Sequence, residues 1–202
     1  MRMRRTMMVI PAGLFLVFGM MSCEKTNDKP DNNTIAITDS VAMAFRPANY
    51  TFYSLKEGKV IPLSDSATGK WDVAFKFYTI ISNSGVSGPG NAGVIVKRDG
   101  QYDAVSTAPE AGYGTDTSAT QLAVNSTYGN PNAWFIYEPV SHAFGPAAGL
   151  YFLVRTADNH YAKMEITQVR YHIQPGAPYP DSLTYKFRYT YQPDGSRNLS
   201  LE

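Results

Sequence analysis

The stretch from Gly149 to Val169 restricts the fold more than any other part of the chain. Leu150 to Thr156 and Tyr161 to Val169 are rich in aromatic and β-branched residues, and Ala157-Asp158-Asn159-His160 between them is short and mostly polar. Such a segment reads as a β-hairpin. In its second strand Ala162, Met164 and Ile166 alternate with Lys163, Glu165 and Thr167, so one face is buried and the other wet. The first strand is apolar on both faces up to Arg155, which places it inside a sheet rather than at an edge.

Near the C-terminus the alternation is nearly perfect. Leu183, Tyr185, Phe187, Tyr189 and Tyr191 point one way and Thr184, Lys186, Arg188 and Thr190 the other. This strand is expected beside Tyr161–Val169, because consecutive strands tend to be neighbours. Further strands are read at Thr34–Thr38, Tyr50–Leu55, Val60–Leu63, Val94–Val96 and Trp134–Tyr137, the proline at 62 marking an end or an edge. Trp71 to Ile81 reads as one long strand with Trp71, Val73, Phe75 and Phe77 on one face. Ser82–Asn91 is too rich in glycine for regular structure, and Glu138–Ala148 reads as the approach to the hairpin. Tyr102–Pro131 is weakly patterned and is a candidate binding loop. No helical period is evident beyond the N-terminus. The fold class is therefore all-β, a single domain of antiparallel sheets with long loops.

At the N-terminus Arg2, Arg4 and Arg5 precede an apolar run from Met7 to Met21, which ends at Ser22-Cys23. That layout is an export signal rather than a spanning helix. Gly19-Met20-Met21-Ser22-Cys23 resembles a bacterial lipobox, with Cys23 the residue that carries lipid. The expected organisation is a signal peptide over 1–22, a polar tether over 23–33 and the all-β domain over 34–202. Cleavage would take three arginines with it, so the formal charge falls from +1 to −2. Neither value provides a basic surface for nucleic acid. Cys23 is the only cysteine, so no internal disulfide can form and stability rests on the core.

Catalytic patterns are missing. The chain has no nucleophile elbow, phosphate loop or metal-spaced histidines, and nothing brings two of Asp72, Glu138 and Glu165 to the separation of a glycosidase pair.

Trp71-Asp72-Val73-Ala74-Phe75 with its following Gly/Ser loop, Trp134 and Tyr137, Tyr151 to Asp158 with Tyr161-Ala162-Lys163-Met164, and Thr184 to Tyr191 occur in an order that resembles the HmuY family. Its members are bacterial surface lipoproteins that capture haem. The resemblance spans roughly residues 50–191 and implies antiparallel sheets with haem held non-catalytically in a cleft between two axial side chains. It also implies attachment to the outer membrane or cell surface through lipid on Cys23, and delivery of haem to an outer-membrane receptor.

Haem iron takes His, Met, Cys or Tyr. His142 lies between the Trp134 strand and the hairpin, where the family places one ligand, and His172 is the second candidate if its strand end turns toward the same cleft. Met164, Tyr128 and Tyr113 are weaker candidates; Met164 shares the apolar face of its strand, and His160 reads as a polar turn residue. The family's other ligand usually precedes Trp134, yet residues 102–133 hold no His or Met, only Tyr102, Tyr113 and Tyr128. The alternative is an HmuY-like surface lipoprotein that has lost haem ligation and binds another ligand or partner.

Overall fold

The computed structural model describes residues 34–201. The expected signal peptide, the expected lipidation site at Cys23 and the expected tether lie outside the described residues. Eleven strands follow one another among those residues: β1 (Ile35–Ala44), β2 (Thr51–Ser54), β3 (Lys59–Ile61), β4 (Val73–Lys76), β5 (Thr79–Ser82), β6 (Gly93–Lys97), β7 (Phe135–Glu138), β8 (Ala143–Pro146), β9 (Tyr151–Arg155), β10 (Tyr161–His172) and β11 (Ser182–Gln192). Among the described residues the only helical pieces are short 3-10 turns at Leu63–Asp65 and Tyr102–Ala104. The protein is all-β, as its alternating segments require.

Five strands form one antiparallel sheet in the order β1-β11-β10-β9-β6, and four form a second in the order β3-β2-β4-β5. β9 and β10 are the hairpin expected from Gly149–Val169, with Tyr161 opposite Arg155 and Met164 opposite Phe152. β11 lies beside β10, and β9 sits between β10 and β6. The two-sided apolar character of β9 now has a cause. Phe152 and Val154 join the main core, while Tyr151 and Leu153 pack on the opposite face against Tyr102.

The main core lies between the two sheets. Tyr185, Phe187 and Tyr189 of β11 meet the second sheet, with the Phe75 and Tyr185 rings 4.9 Å apart and those of Tyr53 and Phe187 5.1 Å apart. Fully burying one such ring contributes about 1.5–3 kcal/mol, so the aromatic alternation of β11 is a large share of what holds the sheets together. Asp72 ties loops of both sheets: its carboxylate accepts the Leu55 N–H and the Ala157 N–H, each at 2.8 Å. Burial outweighs these bonds and pushes its pKa up to about 6.

The run from Trp71 to Ile81 is not one strand. It folds back at Phe77-Tyr78, so that β4 and β5 pair with Lys76 opposite Thr79. Phe77 adopts φ 52°, a conformation bulky residues rarely take. Two buried side chains fix this turn: the Tyr185 hydroxyl donates to the Phe77 carbonyl, and Trp134 Nε1–H donates to the Tyr78 carbonyl at 2.7 Å. Trp71 therefore does not share a face with Val73 and Phe75. It joins a second cluster with Phe52, Ala74 and Ile81.

The approach segment after Tyr137 also differs from the expectation. Ala143–Pro146 is a strand, β8, which pairs with β7 in a two-stranded ribbon apart from both sheets. β1 runs on to Ala44, beyond the five residues read from the sequence.

Candidate functional site

Phe135 and Tyr137 project from one face of β7, and Phe144, opposite Tyr137 on β8, joins them. The turn between the strands ends at His142, which takes φ 53°, a left-handed conformation that His tolerates better than most residues. Phe144 is buried in the core beside Trp134, with ring centroids 5.8 Å apart. The ribbon is fastened to the larger sheet by Tyr171 of β10, whose hydroxyl accepts the Phe144 N–H at 2.8 Å and donates to the Phe144 carbonyl at 3.2 Å. Burial pushes the Tyr171 pKa up to about 12, so the phenol stays neutral and keeps both bonds.

The ribbon forms one wall of a cleft of about 450 Å³ at this end of the sandwich. Phe77 and Tyr78 of the β4–β5 turn form its floor, Phe45 and Arg46 enter from the end of β1, Tyr128 comes from the long loop and Tyr179 from the β10–β11 connection. The volume lies within the usual range for small-molecule sites. Ring packs against ring throughout: Phe45 and Phe77 at 5.0 Å, Phe77 and Phe144 at 5.3 Å, Tyr128 and Tyr137 at 5.1 Å. The lining thus offers broad apolar faces, one exposed guanidinium at Arg46, four phenols and one imidazole.

That imidazole is His142. Its Nδ1 lies 2.7 Å from the Tyr137 hydroxyl. A phenol held there fixes the ring and leaves Nε2 as the nitrogen open to the cleft's contents, the arrangement in which a histidine ligates a metal through one nitrogen and is oriented through the other.

The other sequence candidates fall in different places. Tyr128 lines the same cleft as His142. His172 sits at the end of β10 on the outer face of the sheet, where Nε2 lies 3.0 Å from the Thr184 hydroxyl, while its neighbour Tyr171 points to the ribbon. The strand's period of two sends the pair to opposite faces, so His172 does not join His142. Met164 is 1% exposed within the core. Tyr113 packs against Tyr161 and Arg155, and its hydroxyl donates to the Pro109 carbonyl. His160 stays in the β9–β10 turn, with Nδ1 3.1 Å from Asp158 Oδ1. Asp72, Glu165 and Glu138 are each occupied separately, Glu165 by Arg188 and Glu138 by the Val140 N–H.

Phe45, Arg46, Phe77 and Tyr78 were not singled out as site residues by sequence reasoning. The one local signal was the aromatic-cation-proline run Phe45-Arg46-Pro47 at the end of a strand. Among the described residues no three His, Cys, Asp or Glu side chains converge on a possible metal site.

No curated protein matches the chain. Solved structures similar to it include an apo HmuY analogue of Tannerella forsythia, 17% identical, covering 79% of this chain and 97% of that one with a TM-score of 0.49. Apo PinO of Porphyromonas gingivitis is 14% identical over 78% and 97% of the two chains, with a TM-score of 0.48. An HmuY-like protein of Bacteroides vulgatus to which haem binding is ascribed is 17% identical over 75% and 90%, with a TM-score of 0.45. The sequence model of the HmuY protein family matches residues 47–174, which take in the four-stranded sheet, β6, β9 and β10 of the larger sheet, the β7–β8 ribbon and the long loop. The chain belongs to the HmuY family.

Proposed function

We propose that the protein binds haem without catalysing a reaction, in the aromatic cleft beside the β7–β8 ribbon, with His142 Nε2 as an iron ligand. The observation that carries this reading is the Tyr137–His142 contact at 2.7 Å inside an aromatic cleft of about 450 Å³. The residues fit the group. Phe45, Phe77 and Phe144 supply apolar surface for a macrocycle, and Arg46, which makes no ion pair among the described residues, supplies a cation for a propionate. Haem brings an iron whose axial positions accept nitrogen, sulfur or phenolate donors. The remaining ligating side chains of the cleft are phenols, of which Tyr128 was already a candidate. In keeping with the lipobox at Cys23, the protein is read as an envelope lipoprotein, held at the outer membrane or cell surface, that passes haem to an outer-membrane receptor.

A second reading rests on one observation: the cleft holds a single imidazole and no methionine. In that case the same apolar walls serve a different planar ligand or a partner, and iron plays no part.

Titration of the purified domain with haemin, followed at the Soret band, separates the two. Saturable binding with a shifted Soret band that His142→Ala weakens supports iron ligation. Binding of metal-free protoporphyrin as tight as that of haemin, indifferent to His142→Ala, supports the second reading. The absence of any spectral change at micromolar haemin overturns the haem assignment.

A further inference from the structure

The outer face of the five-stranded sheet carries a pocket unrelated to the aromatic cleft. Its floor is formed by Lys163 of β10 and by Arg188 and Thr190 of β11, and the segment Tyr102–Ser106 lies over them. Its volume is about 360 Å³. Lys163 is 3% exposed, a burial that lysine rarely tolerates without a counter-charge. Its ammonium donates to the Val105 carbonyl at 2.7 Å and sits 5.0 Å from the centre of the Tyr102 ring. Arg188 lies on the same ring at 4.2 Å.

The two cations are treated differently. Arg188 is paired twice, with Glu165 at 2.6 Å and with both oxygens of Asp103 at 2.9 and 3.1 Å. Lys163 has no carboxylate within ion-pair distance among the described residues. An ammonium has three donors, and one protein carbonyl accepts from this one. A buried donor left without an acceptor is costly, so what enters the pocket beside Lys163 must supply oxygen, and a negative oxygen best of all. The Tyr102 and Thr190 hydroxyls, 3.4 Å apart, and the side chain of Ser106 add neutral polar partners.

We propose that this pocket is a second ligand site, which takes the carboxylate of a small hydroxylated acid, of the class of acidic monosaccharides, on Lys163. One negative charge matches Lys163, the one cation of the pocket lacking a carboxylate partner. A phosphate dianion is disfavoured, because the Asp103 carboxylate lines the pocket and the Arg188 guanidinium is already neutralised by Glu165 and Asp103. The hydroxyls of the ligand meet those of Tyr102, Thr190 and Ser106. The site is independent of haem, since its residues and those of the cleft do not overlap.

The test is a titration of the isotopically labelled domain with glucuronate, read by NMR on the lysine side-chain ammonium and on backbone amides, with glucose and inorganic phosphate as comparison probes. The expected result is saturable millimolar binding that shifts the Lys163 signal and the amides of Tyr102 to Ser106, at least tenfold weaker in Lys163→Met and unchanged in His142→Ala. Glucose gives no shift and phosphate binds more weakly than glucuronate. Because Lys163→Met replaces a buried group, the wild-type titration decides alone if that variant does not fold. No saturable shift at Lys163, shifts confined to the cleft around His142, equal affinity for phosphate, or undiminished binding by a folded Lys163→Met each overturns the proposal.

Discussion

The Tyr137 hydroxyl of β7 stands 2.7 Å from Nδ1 of His142, at the end of the β7–β8 turn, in a ribbon that belongs to neither sheet. The imidazole is thereby oriented by a residue of the same small unit and not by the sandwich behind it. Removing the hydroxyl in Tyr137→Phe leaves the ring packing with Tyr128 and frees the imidazole to rotate. Haemin affinity should fall by about 10- to 100-fold, the usual cost of losing the group that orients a metal-bound histidine. Soret titration of the variant beside His142→Ala checks this. Equal affinity for Tyr137→Phe and wild type would remove Tyr137 from the account.

The turn at Phe77 depends on a hydroxyl from the other sheet. In Tyr185→Phe the Phe77 carbonyl loses the donor that holds it, at a position already strained by its positive φ. A loss of about 1–3 kcal/mol in unfolding free energy is expected, measurable by urea denaturation, together with weaker haemin binding, since Phe77 and Tyr78 form the floor of the cleft. Full stability in the variant would show that the turn does not depend on the Tyr185 hydroxyl.

Asp72 gives the fold a pH dependence of unusual sign for a carboxylate. Its folded pKa is about 6 against an ordinary 3.8, so the folded chain holds this proton more tightly than the unfolded one. The corresponding stabilisation is fully present below the unfolded value and is lost as pH rises through about 6, and it amounts to about 3 kcal/mol. Asp158, held below its ordinary value chiefly by Thr156 and Lys56 against the opposing effect of burial, contributes with the opposite slope. The clean observable is therefore a difference: between pH 4 and 7, Asp72→Asn should remove a component that falls with pH. Parallel stability profiles for the two proteins would refute it.

Gly85 lies in the Gly/Ser loop with φ +55°, where an added Cβ would stand 2.0 Å from the Asp116 carbonyl oxygen. Gly85→Ala must displace backbone, and an overpacking cost of about 1–3 kcal/mol is expected. Differential scanning calorimetry measures it. An unchanged melting temperature would mean that the loop yields freely.

Strands with one dry and one wet face were legible in the chain. β11 and the first half of β10 could be faced from alternation and paired because they are consecutive, and the two-sided burial of β9 followed from its unbroken apolar run, but the register shift between Ile166 and Gln168 that brings Val169 and Tyr171 to the core face was not legible. The break inside Trp71–Ile81 was not legible, because Phe77-Tyr78 carries no Gly, Asn or Pro and the turn is enforced by Tyr185 and Trp134, 108 and 56 residues away. β8 was hidden because Ala-Phe-Gly-Pro buries one residue, Phe144, and so shows no period. For the cleft, side-chain chemistry could be read but convergence could not. His142 and Tyr128 were visible as residues able to ligate, whereas Phe45, Arg46 and Tyr179 acquire meaning only when the end of β1 and the β10–β11 connection arrive at the same ribbon.

The bond from Tyr171 to both backbone groups of Phe144 substitutes for a strand-to-strand ladder at that point. A ladder would tie the register of the ribbon to that of the sheet, so that any insertion or deletion in one would be felt in the other. A single phenol imposes no such bookkeeping. The register of the cleft's lip is therefore set within the ribbon itself, independently of the hydrogen-bond ladder of the sandwich.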